Sequence, residues 1–114
     1  MKSPITTHVL DTARGRPAAG VAVRLERLGP GGEARELARG VTDDDGRITN
    51  LLEPGTLEAA TYRISFETGA DVQATGQRGF YPEVSVAFAV QEPGAHHHVP
   101  LLLSPFGYST YRGS

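Results

Sequence analysis

The 114-residue chain contains no cysteine, which excludes a disulfide framework, a thiolate nucleophile and a thiolate metal site. Its fold must therefore rest on packing alone. No apolar run reaches the roughly 20 residues of a membrane-spanning helix, and Met1-Lys2-Ser3-Pro4-Ile5-Thr6-Thr7 offers neither an apolar signal core nor a small-residue cleavage site. A cytosolic protein with no membrane contact is the expectation. Neither sign of charge dominates: 11 basic residues face 13 acidic ones, for a net charge of −2. This gives no electrostatic footprint for nucleic acid or an anionic membrane. There is no Gly-rich phosphate loop, dinucleotide fingerprint or Gly-x-Ser-x-Gly elbow. Asp43-Asp44-Asp45-Gly46 lacks the spaced ligands and distant Glu of an EF-hand loop, so it reads as a turn.

What is present is a period of two. Short alternating runs broken by Gly, Pro or Asp indicate an all-β sandwich or barrel, and the length fits one domain spanning residues 1–114. Strands are expected at Ile5 to Asp11, around Val21, Val23 and Leu25, and over Glu36 to Thr42. Asp43 to Gly46 is expected to be a tight hairpin returning the third strand into Arg47 to Leu51. Tyr62, Ile64 and Phe66 alternate with Arg63, Ser65 and Glu67, a strand with one wet face. Thr68 to Thr75 could form a short helix closed by Gly76, or a loop. Val84 to Val90 and His96 to Ser104 read as strands joined through Pro93-Gly94, and are expected to pair as a hairpin.

Two strands carry faces unlike a normal wet surface. His96, His98, Pro100 and Leu102 share a side opposite Val99, Leu101 and Leu103, while Ser85, Ala87 and Ala89 back the core residues of the preceding run. Small, uncharged outer residues point to a second subunit packing there.

All 4 histidines fall in two of these strands, His8 in one and His96, His97 and His98 in the other. Imidazole can take a proton from water near neutrality and return it. Alternation puts His96 and His98 on one side, with Cα atoms roughly 6.6 Å apart at strand rise, and turns His97 to the core. His96 and His98 could present two nitrogens to a zinc ion with His8 as a third. No patterned carboxylate completes such a site, so no functional metal is expected. Arg47 directly follows the acidic turn, where a cation is easily placed at the rim of a sandwich. The ending, Leu101-Leu102-Leu103-Ser104-Pro105-Phe106-Gly107-Tyr108-Ser109-Thr110-Tyr111-Arg112-Gly113-Ser114, keeps aromatic and charged residues where chain ends usually fray into small polar ones.

These segments resemble the 5-hydroxyisourate hydrolases, purine-catabolic enzymes also called transthyretin-related proteins. The resemblance runs through Thr7-His8-Val9-Leu10-Asp11, Pro17-Ala18, Thr42-Asp43-x-Asp45-Gly46-Arg47, Thr75-Gly76-Gln77, Phe80-Tyr81-Pro82-Glu83-Val84 and the tail. It is most specific at Tyr111-Arg112-Gly113-Ser114, an ending that transthyretin, the hormone carrier of the same fold, lacks. One departure is His97, where the family commonly carries Tyr. The resemblance implies a transthyretin-like sandwich of two four-stranded sheets with one short helix, assembled as a homotetramer with active sites at a subunit interface.

It further implies hydrolysis of 5-hydroxyisourate, the unstable product of urate oxidation, to the ureidoimidazoline carboxylate, with no cofactor. The family's catalytic positions fall on His8, Arg47, His98 and Ser114, with His8, Arg47, Tyr111 and Arg112 binding substrate. In that reading an imidazole deprotonates the attacking water. His98 is assigned this task with His8 as its pair, although the residues alone do not decide between them. Arg47 stabilises charge on the carbonyl oxygen. The rival is a transthyretin-like small-ligand carrier without catalysis, and the polarity of these positions argues against it.

Overall fold

Alternation decides which side each strand buries, and the two sets of inward residues meet as one core in the computed structural model, which describes residues 3–70, 76 and 78–113. Nine strands are described: β1 (Ile5–Asp11), β2 (Arg16–Pro17), β3 (Ala22–Leu28), β4 (Ala34–Val41), β5 (Arg47–Ile48), β6 (Ala60–Phe66), β7 (Val84–Val90), β8 (His97–Ser104) and β9 (Gly107–Thr110). One sheet runs β2-β1-β8-β9, with the two-residue β5 also on β1, and the other runs β4-β3-β6-β7. The expected two-sheet, all-β architecture is what is found. Its core is built from the predicted faces: Val21, Val23 and Leu25; Tyr62, Ile64 and Phe66; and Val99, Leu101 and Leu103, all buried.

The outer sides of the sheets differ in chemistry. On the second sheet, Arg63 and Arg24 pair with Glu26 at 2.9 and 3.6 Å, Arg24 also reaches Glu83, and Arg39 pairs with Glu36. That side is a charge-laced wet face. The first sheet instead turns His8, His98, Pro100 and Leu102 outward.

Two expected hairpins are absent. β7 pairs with β6 in the second sheet, while β8 pairs in parallel with β1, from Ile5↔His97 to Asp11↔Leu103, in the first. Residues 91–96 therefore cross between sheets, and Val90 and Val99 both contribute to the core from opposite layers. The uncharged strips on β7 and β8 consequently belong to different sheets and form no single face. Likewise β4 pairs with β3 and β5 with β1, so the acidic turn is a corner between layers, not a hairpin. Arg47 and Ile48 alone of the expected return strand are extended on β1; Thr49 and Asn50 are not. The tail contributes an unexpected strand: β9 folds back on β8 through Leu101↔Thr110 to Ser104↔Gly107. Residues 68–70 are helical, and Thr68 is anchored by its hydroxyl to the Tyr81 carbonyl at 2.7 Å. Residues 71–75 of the expected helix lie outside the described residues, and Gly76 has φ 76°.

At the corner, Gly46 adopts φ 73° and its carbonyl accepts the Val9 amide at 2.7 Å. A Cβ there would lie 2.5 Å from the Val9 carbonyl oxygen. Gly46→Ala is therefore strained both by backbone conformation and by contact, and should destabilise the fold by about 1–3 kcal/mol. A urea midpoint equal to that of the unmodified protein would contradict this account.

Candidate active site

The parallel pairing of β1 with β8 brings together residues far apart in the chain. In-register neighbours share a side of a sheet, so Thr6↔His98 and His8↔Pro100 align Thr6, His8, His98 and Pro100 outward. Ile5, Thr7 and Val9 point inward and are fully buried, which leaves β1 no freedom to slip by one residue. On the other edge of β1, the antiparallel partner of His8 is Arg47. The corner sets that position: the Asp43 carboxylate accepts the Asp45 and Arg47 amides at 2.9 and 3.0 Å. His8, Arg47 and His98 thus stand on one side of one sheet.

Around His98 the polar contacts are dense. The Thr6 hydroxyl lies 2.7 Å from His98 Nδ1 and 2.9 Å from His96 Nε2, and the two rings stack with centroids 6.2 Å apart. His97 turns inward, as alternation requires, with Nδ1 2.9 Å from the Ala95 carbonyl oxygen. The tail returns to this point. Gly113 bridges His98, its amide donating to the His98 carbonyl at 2.9 Å. Ser114 lies outside the described residues. Arg112 donates to the His96 carbonyl at 3.4 Å. A cleft of about 310 Å³ between the edges of the two sheets is lined by residues 97–99 and 110–112 on one side and Val86 to Ala89 of β7 on the other. His8 and Arg47 do not line this cleft, so within one chain Tyr111 and Arg112 are joined to His98 but not to the His8–Arg47 pair. A further hollow, of about 370 Å³, lies against Arg24, Arg39 and Glu67 on the charged sheet, away from every imidazole.

The protonation of His8 follows from this arrangement. Burial first, and then the neighbouring Arg47 guanidinium, lower its pKa from the ordinary 6.5, against the opposing pull of the Asp45 main chain and the Asp43 and Asp45 carboxylates. His8 is thereby favoured as a neutral imidazole beside a fixed cation. His97 is also lowered, chiefly by burial. Among the described residues, no group of three His, Asp or Glu side chains is arranged to hold a metal ion. A neutral imidazole, a second imidazole oriented by a hydroxyl, and a guanidinium on one side of a sheet can together remove a proton from water and stabilise a developing oxyanion.

Sequence reasoning missed Thr6 and the specific role of Gly113. Thr6 shares the parity of His8, which is a usable signal, but in a strand Thr reads simply as a β-former. A Cβ at Gly113 would meet His98 Cδ2 at 2.5 Å and Pro100 Cγ at 3.4 Å, a close approach invisible until the tail is seen to fold back.

A family model described as the HIUase/Transthyretin family matches residues 5–113. The chain is 48% identical to the mouse (Mus musculus) 5-hydroxyisourate hydrolase over 113 residues, covering 98% of this chain and 96% of that protein. The solved structure of Klebsiella pneumoniae 5-hydroxyisourate hydrolase superposes with a TM-score of 0.83 at 37% identity, covering 100% of both chains. Sea bream transthyretin in complex with thyroxine superposes with a TM-score of 0.91 at 34% identity, covering 97% of this chain and 95% of that one.

Two outcomes follow from the site geometry. Because His8 and His97 both have lowered folded-state pKa values, the unfolded chain binds protons near their ordinary value of 6.5 that the folded protein still refuses. Their contribution to stability is full above that pH and is lost as pH falls through the depressed folded values. His97→Tyr should therefore flatten the fall in denaturant midpoint between about pH 7 and about pH 5, and an unchanged slope would contradict it. Gly113→Ala should displace the His98 ring, shifting its imidazole NMR signals while moving the unfolding free energy by less than about 1 kcal/mol. Unshifted His98 signals would show that the tail yields instead.

Proposed function

The chain belongs to the HIUase/Transthyretin family, and from that premise we propose that it is a 5-hydroxyisourate hydrolase of urate degradation. The observation that carries this reading is the in-register placement of His8, Arg47 and His98 on one side of the first sheet. The substrate is a small, planar, polar heterocycle. The reaction opens its six-membered ring by hydrolysis of a cyclic amide.

In the proposed mechanism His98 removes a proton from water as the oxygen attacks the ring carbonyl. Attack places negative charge on the carbonyl oxygen, which Arg47 stabilises with a cationic fork suited to planar acceptors. Neutral His8 hydrogen-bonds the substrate without adding a second positive charge beside Arg47. As the ring C–N bond breaks, the imidazolium returns its proton to the leaving nitrogen. Tyr111 and Arg112 bind substrate at the mouth, and Ser114 adds its hydroxyl and carboxylate. No cofactor is called for.

Assembly follows from the edges. β7 and β9 each end their sheet, with one partner apiece among the described strands, and open ladder groups favour pairing with another copy. A homotetramer that completes the site from neighbouring subunits is the proposed assembly, working in the cytoplasm. Likeness to a transthyretin that binds thyroxine supports a carrier at the level of fold. The imidazoles and guanidinium on the outer side of the first sheet favour the enzyme, since a channel for a hydrophobic ligand would be lined with apolar groups.

Ultraviolet decay of freshly made 5-hydroxyisourate should accelerate with the protein. His98→Ala and Arg47→Ala should each lower turnover by about a hundredfold or more with the fold intact. Removing the last four residues should abolish most activity while sedimentation still reports a tetramer. Near-normal turnover in a folded His98→Ala variant would refute the assignment.

A further inference from the structure

Thr6 is 2% exposed, and its hydroxyl is shared between His98 Nδ1 at 2.7 Å and His96 Nε2 at 2.9 Å. A hydroxyl carries one proton and can donate it to only one nitrogen, so at the other it must accept. When it donates to one ring and accepts from the other, the tautomers of the two rings are linked. If His98 donates Nδ1–H to Thr6, then Thr6 donates to His96, and the lone pair of His98 is at Nε2. In the opposite arrangement Nε2 of His98 is protonated and cannot act as a base.

We propose that Thr6 and His96 form a proton relay behind His98, with Thr6 the positioning residue that selects its basic tautomer. The proposal rests on the reading of His98 as the base. When water gives a proton to His98 Nε2, the Nδ1 proton passes to the Thr6 oxygen and the Thr6 proton passes to His96 Nε2. The hydroxide oxygen forms the new bond to the ring carbonyl. Positive charge then resides on His96, which is exposed where His98 is half-buried. Charge costs less in water than beside a sheet that already carries Arg47, and water screens it from the nearby Arg112. Ring opening reverses the transfer and returns the proton to the leaving nitrogen. The β-branched Thr6 side chain has few χ1 options, which keeps the hydroxyl between the two rings.

Three measurements test this. Imidazole ¹⁵N NMR of the unmodified protein should show His98 as the Nδ1–H tautomer, and Thr6→Val should abolish that preference. With 5-hydroxyisourate, Thr6→Val should lower kcat by about ten- to a hundredfold with KM changed less than about twofold. Thr6→Ser, which keeps the hydroxyl, should restore kcat to within about threefold. An Nε2–H tautomer of His98 in the unmodified protein, full activity in Thr6→Val, or Thr6→Ser as slow as Thr6→Val would overturn the relay. If the unmodified protein fails to hydrolyse 5-hydroxyisourate, the function falls, while the tautomer spectra still decide the Thr6 linkage.

Discussion

The parallel ladder between β1 and β8 is the constraint on which the rest depends. Seven in-register pairs from Ile5↔His97 to Asp11↔Leu103 unite the first strand with the last long one. The ladder cannot slip, because Ile5, Val9, Val99 and Leu101 would move from the core to the surface, and the Thr7 hydroxyl holds the Val99 carbonyl at 2.6 Å. Once this register is set, His8 and His98 have no choice of side. β5 adds Arg47 on the far edge of β1, and the tail adds Gly113 on the far side of β8. The candidate site is four backbone segments placed side by side.

The two outer faces of the sandwich differ in charge. The second sheet spends its outer side on ion pairs among Arg24, Glu26, Arg63 and Glu83. The first sheet turns His8, His98, Pro100 and Leu102 outward, with His8 opposite Arg47 in its ladder. Burial first, and then the Arg47 guanidinium beside it, lower the pKa of His8 against the opposing pull of the Asp43 and Asp45 carboxylates.

Much of this was legible in the chain. Alternation identified the buried side of nearly every strand, including the inward turn of His97 and the shared side of His96 and His98. It also put His8 in a strand of its own. What alternation reports is which side a residue faces, and it is silent on which strand lies alongside. Hence the hairpins expected at Asp43 to Gly46 and between β7 and β8 turned out to be crossings between layers. Thr6 was overlooked because its role depends on the neighbour across the ladder. Gly113 was legible as part of a resemblance, while its physical reason, an approach that a methyl group would block at 2.5 Å, needed the folded tail.

The ladder also dictates when the site can exist. Thr6 and His98 are 92 residues apart in sequence, so closing that contact carries the loop entropy of nearly the whole chain, and contacts of such range form slowly. During synthesis β1 leaves the ribosome long before its partner. Until β8 is made, the partners of β1 within the sheet are, among the described strands, the two-residue β2 and β5 alone. His8 and His98 therefore meet only once nearly the whole chain has been made.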